Sequence, residues 1–358
     1  MCEVLIVADD LTGSLDSAVG FARADKRVMV ARTLADVAQC VDRGADVISV
    51  NTASRNGTET AAIAAVEAMG EVIDLQSVRV IMKKVDSRLK GHPGAEGRAL
   101  ARLASRDTLV AAPALPRMGR IQSQSKLSGS GIEGAISMSE RLGTGMVVPD
   151  VTSQDHLDVM VADAATRQTT LWLGASDLAF ALARAVFGEE MVSAPDLARP
   201  LAIMIGSRDP MTVAQVDQLS HRGVHVHRAP NGAFGPVEIL GDTCVVAMSA
   251  GAEPCTEEAA AASFAENAVR VLTTMEPSTL LCTGGETADA ILRRLGVSVM
   301  RLMGEVAAGL PVCEITAPWG EAHLITKSGG FGRADLLSEL ALGHSFAENK
   351  GINQDAFI

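Results

Sequence analysis

Val4-Leu5-Ile6-Val7-Ala8-Asp9-Asp10-Leu11-Thr12-Gly13-Ser14-Leu15-Asp16 is an unbroken apolar run that ends in two carboxylates and passes through a small polar turn into a segment of helical character. A strand that is apolar at every position is covered on both faces, as in a parallel sheet between two layers of helices. The pattern recurs at Arg27–Ala31, Asp46–Val50, Val78–Met82 and Thr108–Ala112, with helical-looking segments between most of these runs. A second series, Leu201–Ile205, Val224–Val226, Thr243–Met248, Leu280–Cys282 and His323–Thr326, follows a proline-flanked stretch at 194–200 that reads as a linker. Helices are predicted at Pro210–His221 and Thr256–Thr274, and a loosely ordered polar tail after His344. The sequence therefore predicts an α/β protein of two α/β/α layered domains, residues 1–195 and 196–358, with mostly parallel sheets and an intervening cleft.

Composition narrows the function classes. A chain of 358 residues fits two domains, and a hydrophobic content of 47% supplies two cores. A formal charge of −12 repels nucleic acids and anionic membranes, so any bound anion needs a local cluster of cations. No apolar run approaches a membrane span, and no basic segment precedes Val4–Ala8 as a signal peptide requires. The six cysteines, at 2, 40, 244, 255, 282 and 313, form no C-x-x-C pair and read as core filling in a cytoplasmic protein. His225-x-His227 lacks the accompanying cysteines and carboxylates of a zinc site, so no protein-built metal site is expected.

Ligands of open α/β sheets gather beyond the carboxyl ends of the strands, which singles out the polar residues that follow each apolar run. Asp9, Asp10 and Asp16 are more carboxylates than a helix cap uses, and they suit a general base or a metal-associated group. On an extended backbone Asp9 and Asp10 point opposite ways, so one of them is expected to face the site. Arg55 follows the third run and can grip a carboxylate with two parallel bonds. Lys83, Lys84, Asp86, Ser87, Arg88 and Lys90 pack four cations, an acid and a hydroxyl around one turn of an acidic protein, the makings of an anion site.

The second half offers glycines instead of charges: Gly206-Ser207-Arg208-Asp209-Pro210-Met211-Thr212, Thr283-Gly284-Gly285-Glu286-Thr287 and Lys327-Ser328-Gly329-Gly330-Phe331-Gly332 each follow a strand. Turns of this kind present backbone N–H groups, and a helix N-terminus adds its dipole, which suits phosphate. The chain contains no Gly-Lys dipeptide, so it has no Walker A loop. Gly129-Ser130-Gly131-Ile132-Glu133-Gly134 fits the G-x-G-x-x-G pattern of dinucleotide-binding folds, but the preceding Ile121–Ser128 is too polar for a buried strand.

In order along the chain, Ala8–Asp16, Lys83–His92, Ala112–Pro116 with Gly119-Arg120, Gly206-Ser207, Gly284–Ala288 and Lys327–Gly332 resemble the blocks of the four-carbon acid sugar kinase family. The resemblance implies that the N-terminal domain holds a small sugar acid and the C-terminal domain holds ATP. It also implies that the γ-phosphoryl group passes, with Mg²⁺ bridging the ATP phosphates, to the terminal hydroxyl of a substrate such as threonate, erythronate or 3-oxo-tetronate. Asp10 and Asp86 would then be catalytic, one of them taking the hydroxyl proton. Asp9, Asp16, Arg55, Lys83, Lys84, Ser87, Arg88 and Lys90 would contact the acid, with Arg55 and Lys84 on its carboxylate. Ser207, Gly284, Gly285, Glu286, Thr287, Gly329 and Gly330 would contact ATP. Arg88, Lys90 and His92 stand where the family usually has Thr, Arg and Asn, and Ile121–Glu140 departs from its pattern, which points to a different or differently held acid. The alternatives are an NAD-dependent hydroxy-acid oxidoreductase built on Gly129–Gly134 and a non-catalytic sugar-acid or nucleotide sensor. Either way the sequence is compatible with a homodimer.

Overall fold

The computed structural model describes residues 2–239 and 241–343, so the polar tail after His344 lies outside the described residues. The chain divides into two compact units at Val192/Ser193. In chain order the first contains β1 (Val4–Ala8), α1 (Leu11–Ala18), β2 (Val28–Ala31), α2 (Val37–Asp42), β3 (Val47–Asn51), α3 (Glu59–Glu67), β4 (Val80–Lys84), α4 (Pro93–Leu103) and β5 (Thr108–Ala112). There follow β6 (Arg120–Ser123), β7 (Lys126–Gly129), β8 (Ala135–Ser137), α5 (Met138–Leu142), α6 (Gln154–Met160), α7 (Ala164–Thr169), β9 (Thr170–Gly174) and α8 (Ser176–Phe187). The second unit contains β10 (Leu201–Ile205), α9 (Pro210–His221), β11 (Val226–Pro230), β12 (Thr243–Ser249), α10 (Glu257–Met275), β13 (Thr279–Thr283), α11 (Gly285–Arg294), β14 (Val299–Ala307), β15 (Leu310–Ala317), β16 (Gly320–Lys327) and α12 (Leu336–Leu342).

Within the first unit the strands run β2-β3-β1-β4-β9-β5, all parallel. From β1 the chain goes out to β2 at one edge and returns through β3, then crosses β1 to β4, goes out to β5 at the other edge and returns through β9. A switch point therefore lies at β1, where loops leaving the carboxyl ends diverge and open a crevice. Every residue of β1, β2, β3, β4 and β9 is buried, the two lysines that end β4 included. Each Val, Leu or Ile so buried contributes about 1.5–3 kcal/mol relative to exposure. The register aligns Ala8 with both Asn51 and Lys84, so the segments leaving β1, β3 and β4 start at one level.

In the second unit β11-β12-β10-β13-β16 are parallel, and β15 and β14 extend this sheet antiparallel. Ile205 is level with Thr283 and Thr283 with Lys327, which brings the three glycine turns out side by side. Leu201, Ile203 and Ile205 of β10 pack with Val216 and Leu219 of α9 and with Leu336, Leu337 and Leu340 of α12. The α/β class with mostly parallel sheets thus holds in both units.

The structure also adds to the sequence reading. β9 was not foreseen, nor were β14 and β15, and Ile121–Ser128 is not a failed buried strand but two strands of a separate antiparallel sheet, β6-β7-β8. Gly129–Gly134 connects β7 to β8 in that sheet. A dinucleotide fingerprint needs a strand-to-helix turn that aims a helix N-terminus at the pyrophosphate, and this hairpin provides none. Of the six cysteines, five are buried, and Cys255 is exposed ahead of α10, so core filling does not describe it. Among the described residues no helix is long and apolar enough to cross a membrane.

Candidate functional site

Two polar clusters stand at the carboxyl ends of the two parallel sheets. In the first unit the chain leaves β1 through Asp9, which is 2% exposed, and turns at Asp10 into α1. Asp10 caps α1: its Oδ1 accepts from Gly13 N at 2.9 Å and its Oδ2 from Thr12 Oγ1 at 2.7 Å. Arg55, from the loop after β3, reaches both acids. Its Nε and Nη2 donate to Asp9 at 3.1 and 2.8 Å, and its Nη1 and Nη2 donate to Asp10 at 2.8 Å each. Asp86 Oδ2 stands 3.8 Å from Nη1. Burial opposes the Arg55 charge, yet Asp10 and Asp9 push its pKa above the ordinary range. Burial likewise works against the Asp9 carboxylate, but Lys83, Arg55 and Lys84 hold its pKa below the ordinary range.

These contacts revise three expectations. Asp9 and Asp10 do not point apart, because the strand ends between them: Asp10 is already a helix cap, and the alternation of an extended chain no longer applies. Arg55 does not present a free fork, since its donors are directed at carboxylates of the chain itself. Lys83 is fully buried, with Nζ 3.3 Å from Glu96 Oε2 on α4, a carboxylate that also accepts from Ser54 Oγ at 2.5 Å. Lys83 and Glu96 form a buried ion pair that joins β4 to α4.

Lys84, one residue on, behaves differently. It is 5% exposed, its Nζ donates to Val85 O at 3.0 Å, and among the described residues no carboxylate lies within ion-pair distance of it. Its ammonium reaches the first turn of α1, where a Cβ on Gly13 would stand 3.0 Å from Nζ and 2.5 Å from Asp10 Oδ1. Asp16, half-buried on the next turn, has its pKa raised by burial against the pull of Lys84, Arg117 and Ser176, and Asp177 adds to the rise. Arg117 and Asp177 were missed by the sequence reading. Arg117 Nε donates to Asp177 Oδ1 at 2.7 Å, and its guanidinium lies 4.1 Å from the centre of the Phe180 ring.

The loop after β4 is wound about Asp86, whose Oδ1 accepts from the backbone N–H groups of Arg88 at 2.9 Å and Lys90 at 3.3 Å. Its Oδ2 has no hydrogen-bond partner among the described residues, the Arg55 contact at 3.8 Å being too long. Ser87 accepts from Arg120 Nη1 at 2.6 Å, while the Arg88 and Lys90 side chains are exposed.

In the second unit the glycine turns interlock. A Cβ at Gly206 would overlap the side chain of Thr287, and one at Gly329 would overlap Ser207 Oγ and stand 3.0 Å from Asp209 Cβ. Gly284 caps α11 with φ +87 and no side-chain bond to the first turn, so the N–H groups there point out of an uncapped ten-residue helix. Ser207, Gly284, Gly285, Gly329 and Gly330 are thereby gathered, with Glu286 on the exposed side of the first turn of α11. Thr287 is 4% exposed and packs under Gly206 instead of facing out.

Lys327 is the buried support of this cluster and was not among the sequence candidates. Fully buried at the end of β16, it donates to Ser328 O at 2.9 Å, Gly329 O at 3.1 Å and Thr212 Oγ1 at 3.3 Å. Burial lowers its pKa to about 8, with Asp209 opposing. A cavity of about 480 Å³ lined by Arg199, His225, His227, Asp242 and Thr243 opens at the other end of this sheet, away from the glycine turns. Its location at the amino ends of the strands separates it from the phosphate-type geometry.

Residues 4–133 match the model of a sugar-binding N-terminal domain, and residues 202–337 match that of a nucleotide-binding C-terminal domain. A D-threonate kinase of Bordetella bronchiseptica is 28% identical, over 94% of this chain and 96% of its own length. A 3-oxo-tetronate kinase of Cupriavidus necator is 24% identical, over 93% and 95%. Among solved structures, a Salmonella typhimurium LT2 protein shares the fold with a TM-score of 0.73 at 17% identity, covering 95% of this chain and 99% of that one. A Haemophilus influenzae protein does so with a TM-score of 0.68 at 16% identity, covering 97% and 100%. With both domain types in order and kinase relatives aligned along nearly its whole length, the chain belongs to the four-carbon acid sugar kinase family.

Proposed function

We propose that this protein transfers the γ-phosphoryl group of ATP to the terminal hydroxyl of a four-carbon sugar acid of the threonate, erythronate or 3-oxo-tetronate type. Residues 1–195 would bind the acid and residues 196–358 the nucleotide. The observation that carries the reading is the pair of unlike clusters: Arg55, Lys83 and Lys84 among Asp9, Asp10, Asp16 and Asp86 in one unit, and converging glycine turns under an uncapped helix N-terminus in the other. Phosphoryl transfer asks for positioning and charge neutralisation more than for covalent chemistry, and these clusters are of that kind.

In this reading Asp86 is the general base, because Oδ2 is the least engaged carboxylate oxygen among Asp9, Asp10 and Asp86. Asp10 orders the first turn of α1, and Arg55 fixes the two acids in place. Lys84 is the cation at the acceptor end, next to Asp10 and Asp16. Ser207, the α11 N-terminus and the Gly329-Gly330 turn cradle the phosphates. Among the described residues no group of three His, Cys, Asp or Glu side chains gathers as a metal cage. That suits Mg²⁺, which keeps its waters and takes one or two carboxylates plus the phosphates of its nucleotide. Asp209 and Glu286, beside the glycine turns, are the carboxylates that would serve, and the ion would neutralise charge on the transferred group.

A coupled assay of ADP release with Mg²⁺-ATP, run over a panel of four-carbon and longer sugar acids, tests the reading. Acid-dependent release supports it and identifies the acid. ATP and acid binding without turnover would favour a sensor instead.

A further inference from the structure

We propose that Arg88 and Arg120, converging over Gly131, form the subsite that takes the carboxylate of the acceptor acid, a role that rests on the sugar-acid reading above. Arg120 opens β6 and is 6% exposed. Its Nη1 donates to Ser87 Oγ at 2.6 Å and to Ser87 O at 3.3 Å, while Nε and Nη2 donate to Ser130 O at 3.2 and 2.8 Å. All of these acceptors are neutral. Among the described residues neither Arg120 nor Arg88 has a carboxylate within 4.0 Å. A buried guanidinium without a counter-ion is costly, and here a second cation is added: burial lowers the pKa of Arg120, Arg88 lowers it further, and Asp86 only opposes.

Gly131 is what lets the two approach. Its φ of +71 suits glycine, and a Cβ there would stand 3.1 Å from Arg88 Nη2 and 3.3 Å from Arg120 Nη2. The two guanidinium nitrogens thus stand together beside Gly131, so that a single carboxylate next to them can accept from both through charge-assisted contacts of about 2.8 Å. The buried member is oriented by Ser87 and Ser130, so it is ready before the anion arrives, and the exposed Arg88 closes on the anion from solvent. The same loop carries Asp86 and Ser87, so an acid anchored here has its hydroxyls beside the proposed base.

The test separates charge recognition from turnover. Calorimetric titration of the full-length protein with threonate and with threonamide, which keeps the hydroxyls and lacks the charge, gives the ratio of the two affinities. The expectation is about tenfold or more in favour of the acid for the wild type. In R88Q and R120Q that ratio collapses toward one, and R88K restores part of it. An unchanged ratio in well-folded R88Q overturns the proposal, as does a wild type that binds the amide as tightly as the acid. R88Q alters an exposed side chain, so it decides the matter even if R120Q fails to fold. Failure of the kinase reading is distinguishable, since it would leave the affinity ratio intact while no acid in the panel released ADP.

Discussion

Replacing Arg55 by Met removes four N–H···O bonds to Asp9 and Asp10 and leaves an Asp9 side chain that is 3% exposed with only Lys83 and Lys84 to balance it. Breaking a buried pair from one side costs about 3–5 kcal/mol. Arg55 and Asp10 retain 22% and 21% exposure, so the lower end, about 3 kcal/mol, applies. For a unit of this size that is a Tm shift of roughly 6–12 °C. The pH dependence carries the signature. The Asp9 pKa is lowered in the folded protein, so its stabilising contribution is present above the unfolded carboxylate value and is lost as pH falls through the folded one. The gap between wild type and R55M in urea melts is therefore widest near neutrality and narrows in acid. R55K restores the charge without the fork and falls between the two. An R55M protein as stable as wild type at neutral pH, with only its KM for the acid raised, would refute the reasoning and return Arg55 to the substrate.

D86N is expected to lower kcat by roughly 10²-fold or more with little change in melting temperature, whereas D10N, which keeps a cap oxygen for Gly13 N but loses the charge paired with Arg55, lowers stability as well; steady-state kinetics beside thermal melts distinguishes them. G206A forces Thr287 aside and should raise KM for ATP by roughly tenfold or more while the affinity for the acid, measured by calorimetry, holds. Lys327 releases its proton at about 8 when folded and near 10.5 when unfolded. Between those values the unfolded chain binds more protons, so stability rises with pH, by up to about 3 kcal/mol. Urea titrations of wild type and K327M across that window should show the rise in the first and its loss in the second.

Much of the fold was legible because buried parallel strands leave a plain mark, an apolar residue at every position, and β1 and β10 match their sequence boundaries. The strands that escaped notice carry weaker marks. β14 mixes buried and half-buried positions and ends on three half-buried residues, and β6 to β8 are short and polar. Pro210–His221 was readable as a helix from its proline start, and the preceding Asp209 caps it. At the candidate site the residue types were legible but their pairings were not. Arg55 and the two acids are far apart in sequence and meet only through the register of β1 with β3. Lys83 and Lys84 look alike in sequence, yet neighbouring positions on a strand face opposite sides of the sheet, one toward Glu96 and the other toward α1. Arg120 stands in one of the blocks that carry the family resemblance, but its burial without a counter-ion is a property of its surroundings and leaves no mark in the sequence.

In the proposed reaction a phosphoryl group moves from ATP to a hydroxyl of a sugar acid. Phosphorus NMR of the wild-type protein incubated with Mg²⁺-ATP and the acid that releases ADP tests it most directly. A phosphomonoester signal that grows in step with ADP, and roughly 10²-fold or more slowly in D86N, is expected. Release of inorganic phosphate alone, or an unchanged ATP spectrum with both ligands bound, would contradict it.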